Sequence, residues 1–352
     1  MENRNVPFFT PFGVGLSSRE GTNLKVAIIG ASGHGIFVLE GLRRKPNISA
    51  TLAGLAPGSE GESITALAEA CHADGLCPAL YEDYRRMLDE QTPDVVAVNP
   101  FFCDHEKITL ELLERRIHVF AEKPLALTLE GLARLREAYT RSGVHLGCML
   151  NMRYEPALRA AYNAVRSGAV GDVRLVHAQK SYKLGRRPEF FRQRATFGGL
   201  IPWVGSHAID LIASMSGQRF VSVYAAHSTR NNRGHGELEV SASCLFRMSN
   251  EVTGTAGIDY LRPSAAPSHE DDRLRVAGTK GVIEVRDRKT ILLNSTGVSE
   301  LEPDASTSLF GDFMDEVQGT GQSLVSTEEA FINTEAALLA RQSADSGKIV
   351  FF

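Results

Sequence analysis

The sequence predicts an α/β fold in two parts: a parallel, doubly wound sheet domain, then an α+β domain with a large, mostly antiparallel, open sheet. Three features carry this prediction. Apolar runs suited to buried strands alternate with helical patterns from residue 24 to residue 147, the alternation of a doubly wound sheet. The first of these runs ends in a glycine-rich turn that opens a helix. Past Asn151, long β-like runs follow one another with turn signals between them, as a second sheet requires.

Taken in order, residues 1–23 mix Phe8, Phe9 and Val14 with Pro7, Pro11, Gly13 and Gly15. They lack a charged segment followed by a clean apolar core, so they are expected to form a loose arm and not a signal peptide. In the first domain, 24–147, strands are expected at 24–29, 51–55, 94–98, 117–121 and 144–147, and helices near 34–45, 62–72, 81–90, 104–115 and 128–142. The second domain, 148–352, opens with a helix around 156–167. A turn over 167–172 then leads into a long strand from Val173 to Lys183. Further strands are expected at 220–228, 237–247, 251–260, 273–277, 281–286 and 289–294, and helices near 204–216, 309–319 and 327–343. A chain of 352 residues is long enough for two cores of this kind.

Composition excludes several classes. A net charge of −4 offers no basic face for nucleic acid. No apolar run approaches the roughly 18 residues of a membrane span. Five scattered cysteines with no C-x-x-C pair read as reduced thiols of a cytoplasmic protein, neither a disulfide framework nor a metal site. No H-E-x-x-H or clustered ligand spacing occurs, so no metal is expected.

The chemistry starts at Leu24-Lys25-Val26-Ala27-Ile28-Ile29, which runs into Gly30-Ala31-Ser32-Gly33-His34-Gly35 and then a helix. Strand, glycine turn and helix are the setting of a dinucleotide fingerprint. Glycines let the backbone approach a pyrophosphate, and the helix start aims free N–H groups at it. In the G-x-G-x-x-G register the middle position is Ser32, with Gly33 directly after it. The second feature is Ile117-His118-Val119-Phe120-Ala121-Glu122-Lys123-Pro124. A lysine just past the carboxyl end of such a strand faces the ligand crevice of an open sheet, and the following proline holds Lys123 extended.

These features resemble the glucose–fructose oxidoreductase/inositol dehydrogenase family, Gfo/Idh/MocA, over residues 24–347. Besides the two already quoted, the matching motifs are Asn99-Pro100 with His105, Asn151-Met152-Arg153-Tyr154-Glu155-Pro156, Ser167 to Val173, Gly198-Gly199 leading to Gly205-Ser206-His207-Ala208-Ile209-Asp210, and Leu274 to Gly281. The resemblance implies a Rossmann-like first domain, a nicotinamide cofactor and a substrate site between the domains. It also implies a homo-oligomer, dimer or tetramer, built on the open sheet face. The chain departs from the family pattern at Trp203, where an acid usually stands four residues before the histidine. At the end of the second strand, where an acid normally binds the ribose hydroxyls, stands Pro57, then Gly58 and Ser59. The cofactor is therefore read as NAD(P), with NAD favoured because nothing nearby pairs a phosphate's extra charge.

The expected cofactor-binding residues are Gly30, Ala31, Ser32, Gly33, His34, Gly35, Pro57, Asn99, Pro100, His105, Glu122 and Lys123. Catalysis is assigned to Lys123, polarising the substrate oxygen, and His207, exchanging the hydroxyl proton. Asp210, three residues on, is a candidate to orient that imidazole. Arg153, Arg192, Trp203 and His207 are expected to line the substrate cleft. The resulting expectation is an NAD(P)-dependent oxidoreductase of sugars, cyclitols or related polyols. The competing expectations are an NAD-using glycoside-cleaving relative and a non-catalytic, nucleotide-sensing regulator.

Overall fold

The structure, a computed structural model, describes residues 23–44 and 49–352. The expected arm, up to residue 22, lies outside the described residues, as does Lys45 at the expected end of the first helix. Six parallel strands form the first sheet: β1 (Leu24–Ile29), β2 (Ala50–Ala56), β3 (Ala79–Leu80), β4 (Val95–Val98), β5 (His118–Ala121) and β6 (Leu146–Cys148). Their order is β3-β2-β1-β4-β5-β6. The order reverses between β1 and β4, where open α/β sheets bind ligands beyond the strand ends.

Helices α1 (Ile36–Arg44), α2 (Thr65–Ala73), α3 (Tyr84–Gln91), α4 (His105–Glu114) and α5 (Leu129–Ser142) cover this sheet. Alternation sorts the strand residues. Ala27, Ile29, Val96 and Val98 join one core with Ile108, Leu112 and Leu135, and Val26, Ile28, Val95 and Ala97 join another with Val38 and Leu39. With both faces buried, the strands read as continuous apolar runs, which is why they stood out in the sequence.

The second part consists of α6 (Pro156–Arg166), β7 (Val173–Tyr182), α7 (Arg194–Phe197), α8 (Ser206–Ser216), β8 (Phe220–Ser228), β9 (Ser241–Met248), β10 (Thr253–Asp259), β11 (Glu270–Gly278), β12 (Gly281–Arg286), β13 (Lys289–Asn294), β14 (Gly297–Leu301), α9 (Leu309–Gln318), α10 (Thr327–Ser346) and β15 (Val350–Phe351). Nine of these elements form a mixed sheet in the order β14-β13-β12-β11-β7-β10-β9-β8-β15, antiparallel except where β10 pairs with β7. One face packs on α8 and its neighbours in a single large core. The other is open: along β9 buried and exposed positions alternate, with Leu245 exposed, and Tyr224 of β8 is exposed as well.

Sequence reasoning missed β3, α7, β14 and β15, which are two to five residues long and too short to show a period. The helix α9 holds a larger surprise. Its Phe313 stacks on Phe120 of β5 and its Phe310 meets the same ring edge-on, and Leu309 and Met314 share the core of Val26 and Ile28. The chain thus returns to the first sheet late. Helix α10, fixed at its start by a reciprocal capping box between Ser326 and Glu329, brings Phe331 into the core on the opposite face.

Candidate functional site

The glycine-rich turn is held by the ends of three strands. Gly30 N–H donates to Ala56 O at 2.8 Å and Ser32 N–H to Asn99 O at 2.8 Å. Gly30 has φ +85°, and a Cβ there would stand 2.3 Å from Pro100 N and 2.4 Å from Asn99 C. Only glycine fits, because both the backbone angle and the space exclude a side chain. A Cβ on Gly33 would lie 2.5 Å from Glu122 Oε2. The N–H groups of Gly33, Gly35 and Ile36 have no partner among the described residues. The Asn99 amide is fully buried with Nδ2 and Oδ1 both unbonded. Free amides at a helix start and an unpaired carboxamide beside them are what a dinucleotide would satisfy, so the residues fit that cofactor.

Lys123 follows β5 directly and is 2% exposed. Glu122 is fully buried, accepting from His34 N–H at 2.7 Å, from His34 Nδ1 at 2.6 Å and from Lys123 N–H at 2.9 Å. Burial alone would raise its carboxyl, but His34 and Lys123 outweigh burial and hold it down at about 2. Glu122 thereby ties the glycine turn to the lysine. Burial pushes the Lys123 ammonium down to about 7 against the pull of Glu122, and Lys180 and Arg187 push the same way. His105 is buried behind this loop, with Nδ1 2.8 Å from Pro124 O and Nε2 3.3 Å from Pro100 O. Burial holds this imidazole below the usual histidine pKa, and a neutral ring has a single N–H, so it donates to one of the two carbonyls, Pro124 O being the nearer. Pro57 follows β2 and is half-buried.

On the other side stands a short π-helical turn, Ile201–Gly205. Lys123 Nζ donates to Trp203 O at 2.9 Å and lies 3.1 Å from the centre of the indole. The same indole stacks on Phe102 at 4.2 Å and on His34 at 5.6 Å. Trp203 therefore walls the space between the lysine and the glycine turn. His207, in the first turn of α8, is 1% exposed, and its Nδ1 is unbonded. Burial, reinforced by Lys123, Lys180 and His34, keeps its imidazole neutral, with a pKa well below the usual histidine value.

The two arginines expected in the cleft are engaged elsewhere. Arg153 donates to both Asp210 oxygens at 3.0 and 2.7 Å, to Glu329 at 2.7 Å and to Leu324 O at 2.9 Å. This joins the segment before α6 to α8 and α10, and it occupies Asp210, which makes no bond to His207. Arg192 is half-exposed and reaches Glu189 at 3.3 Å.

Two groups near the site were not found from the sequence. Glu62, six residues past β2, folds back so that Oε1 accepts from Ala31 N–H at 2.9 Å and from the Ser32 hydroxyl, while Oε2 accepts from Gly58 N–H at 2.9 Å. The loop conformation, not the spacing, brings this acid to the strand end. The second group lies on β7 and β11, where Lys180 is paired with Asp272 and Tyr182 with Glu270 across the strands. Lys180 Nζ is 2.6 Å from Asp272 and 2.9 Å from Glu270. Burial lifts the Asp272 carboxyl to about 6, although Lys180 opposes the rise. A lysine at an inward strand position facing two alternate acids was the signal available.

The profile of an oxidoreductase family with NAD-binding Rossmann fold matches residues 24–149, and that of the GFO/IDH/MocA C-terminal domain matches residues 158–284. A putative oxidoreductase of known structure from Thermotoga maritima is 45% identical, with TM-score 0.90, over 94% of this chain and 100% of that one. Among curated proteins, the uncharacterized oxidoreductase YrbE of Bacillus subtilis is 28% identical over 56% of this chain. The myo-inositol 2-dehydrogenase of Thermotoga maritima is 24% identical over 62% of it. The chain spans 57% and 64% of the lengths of these two relatives.

Proposed function

Since the chain belongs to the Gfo/Idh/MocA oxidoreductase family, we propose that it is an NAD-dependent dehydrogenase of a sugar, cyclitol or related polyol. The observation that carries this reading is Lys123, buried at the end of β5, linked through Glu122 to the glycine turn and near enough to His207 for its charge to lower that imidazole's pKa. The likeness to a myo-inositol 2-dehydrogenase supports the substrate class.

When bound, NAD would supply the hydride acceptor for oxidation of a carbinol carbon. The chain's residues do the rest. The amides of the glycine turn and the Asn99 carboxamide hold and orient the dinucleotide. The substrate hydroxyl hydrogen-bonds Lys123 Nζ and His207, and its proton passes to the stronger base. A proton on His207 is strongly disfavoured, whereas Lys123 is lowered only to about 7. We therefore give the proton to Lys123 and leave His207 as a neutral, orienting partner, reversing the roles that sequence motifs suggested. The Trp203 indole excludes water from one side of this exchange.

Glu62 supports NAD over NADP. Its carboxylate sits against the turn residues Ala31 and Ser32, as an acid reading the adenosine ribose would, and would repel a 2′-phosphate. The open sheet face with Tyr224 and Leu245 supports a homo-oligomer. Among the described residues no helix is long and apolar enough to cross a membrane. The test is NADH binding followed through its fluorescence, then a polyol and sugar screen with NAD followed by NADH absorbance. Binding together with turnover of at least one polyol is the expected result. Binding with no turnover in a broad screen would overturn the dehydrogenase reading.

A further inference from the structure

Beside Lys123 the chain leaves a group of buried polar atoms without partners, Arg187 Nε, His207 Nδ1 and Asp272 Oδ1, next to the Tyr260 hydroxyl, which the Trp203 side chain reaches. Buried polar atoms are nearly always bonded, so three in one region mark a place where another molecule completes them. Their connection runs through named contacts. The Arg187 guanidinium lies 4.3 Å over the Tyr260 ring and 5.7 Å from that of Phe191, which packs 6.4 Å from Trp203 under Lys123. Tyr260 stacks on Tyr182 at 6.2 Å, and Lys180, the partner of Asp272, stands 4.8 Å over Tyr182.

The pairing in this region is uneven. Both carboxylates, Glu270 and Asp272, are paired with Lys180. Arg187 has no carboxylate within ion-pair distance among the described residues, and the one bond found for its guanidinium is from Nη2 to Lys183 O at 3.0 Å. This leaves a guanidinium on an aromatic face, its Nε–H shielded from water and free. The complement to such an edge is a planar anion with two oxygens. A phosphate monoester carries nearly twice the charge, for which a single unneutralised guanidinium is a poor match.

We infer that the substrate is a sugar acid, a polyhydroxy carboxylate, with its carboxylate on Arg187, neighbouring hydroxyls on Tyr260 and Asp272, and the reacting hydroxyl at Lys123. This rests on the dehydrogenase reading above and narrows its substrate. It also moves recognition away from Arg153 and Arg192 to an arginine that no sequence motif singled out.

The test uses the full chain with NAD and matched pairs of probes: aldonates against the corresponding alditols, uronates against the corresponding aldoses, and glucose 6-phosphate as the phosphate arm. A hydrogen bond to a charged group corresponds to about a ten- to hundredfold effect. At least one acid should exceed its neutral partner by that factor in kcat/KM, and acids should perturb the fluorescence of bound NADH. In Arg187→Met the acid-to-neutral ratio should fall towards one, with NADH binding retained as evidence of folding. Arg187→Lys should recover part of the preference. Neutral sugars turned over as well as acids would overturn the inference and leave the dehydrogenase reading standing. So would a preference for glucose 6-phosphate, or an acid preference that survives in Arg187→Met. If NADH binds but no probe is bound or turned over, both readings fall.

Discussion

Replacing Gly30 with alanine tests how far the nucleotide turn depends on one residue. Two costs add. Placing an L-residue at φ +85° costs about 1–2 kcal/mol. The new methyl would also stand 2.3 Å from Pro100 N and 2.4 Å from Asn99 C, main-chain atoms anchored to β4 that cannot swing aside. Relieving such overpacking costs about 1–3 kcal/mol. Together they make about 2–5 kcal/mol, a large part of the roughly 5–15 kcal/mol that holds a protein folded. The turn must also move away from β4, carrying the Gly33 and Gly35 amides off the pyrophosphate. Losing one such bond to a charged group weakens binding about ten- to hundredfold. The assay is a thermal melt beside an NADH titration, with Gly61→Ala as control. Gly61 also has positive φ, +73°, but nothing lies within 4 Å of its Cβ position, so only the conformational cost should appear. If Gly30→Ala melts and binds NADH like the unaltered protein, the reasoning about this turn is wrong.

Further outcomes are expected. Polyol oxidation should rise as pH increases through about 7, where the Lys123 amine becomes free to take the proton, and the reverse reduction should fall over the same range. Lys123→Met should lower kcat by about 10²–10⁴ while NADH still binds; a profile flat through that range would count against Lys123 as the proton acceptor. Glu62→Gln should narrow the preference for NAD over NADP, measured as a ratio of binding constants, and an unchanged ratio would remove Glu62 from cofactor choice. Arg153→Ala, which strands the buried Asp210, should destabilise the fold by about 3–5 kcal/mol. Arg192→Ala, at an exposed pair, should change stability by less than about 1 kcal/mol. Equal effects in denaturant melts would contradict the burial argument.

The first sheet was legible because its strands are buried on both faces and its glycine turn is dictated by backbone geometry. The place of Lys123 just past β5 was legible because strand, lysine and proline are consecutive. Residues that meet through loops or across strands were not. Glu62 reaches the glycine turn only because the loop after β2 doubles back, and Lys180 meets Asp272 through a register that the sequence does not print. Arg153 matched a motif, yet its donors are all directed at Asp210, Glu329 and a carbonyl. A motif identifies a residue, while its hydrogen-bond partners decide what it does. Trp203 is the instructive middle case. The sequence marked it as a missing acid, and the structure shows its carbonyl and indole both enclosing the lysine.

The late return of α9 to the first sheet sets a condition on how this chain is made. One face of the sheet, including Phe120 and Gly147, is closed by Phe310 and Phe313. Those phenylalanines leave the ribosome more than 150 residues after β6 has been synthesised. Until then the nascent nucleotide domain presents an open apolar face, and a gene fragment ending at the close of β6 would do so permanently. The nucleotide domain is early in sequence and late in completion. An expression truncation meant to isolate it should carry the α9 segment along, supplied by a linker or added in trans.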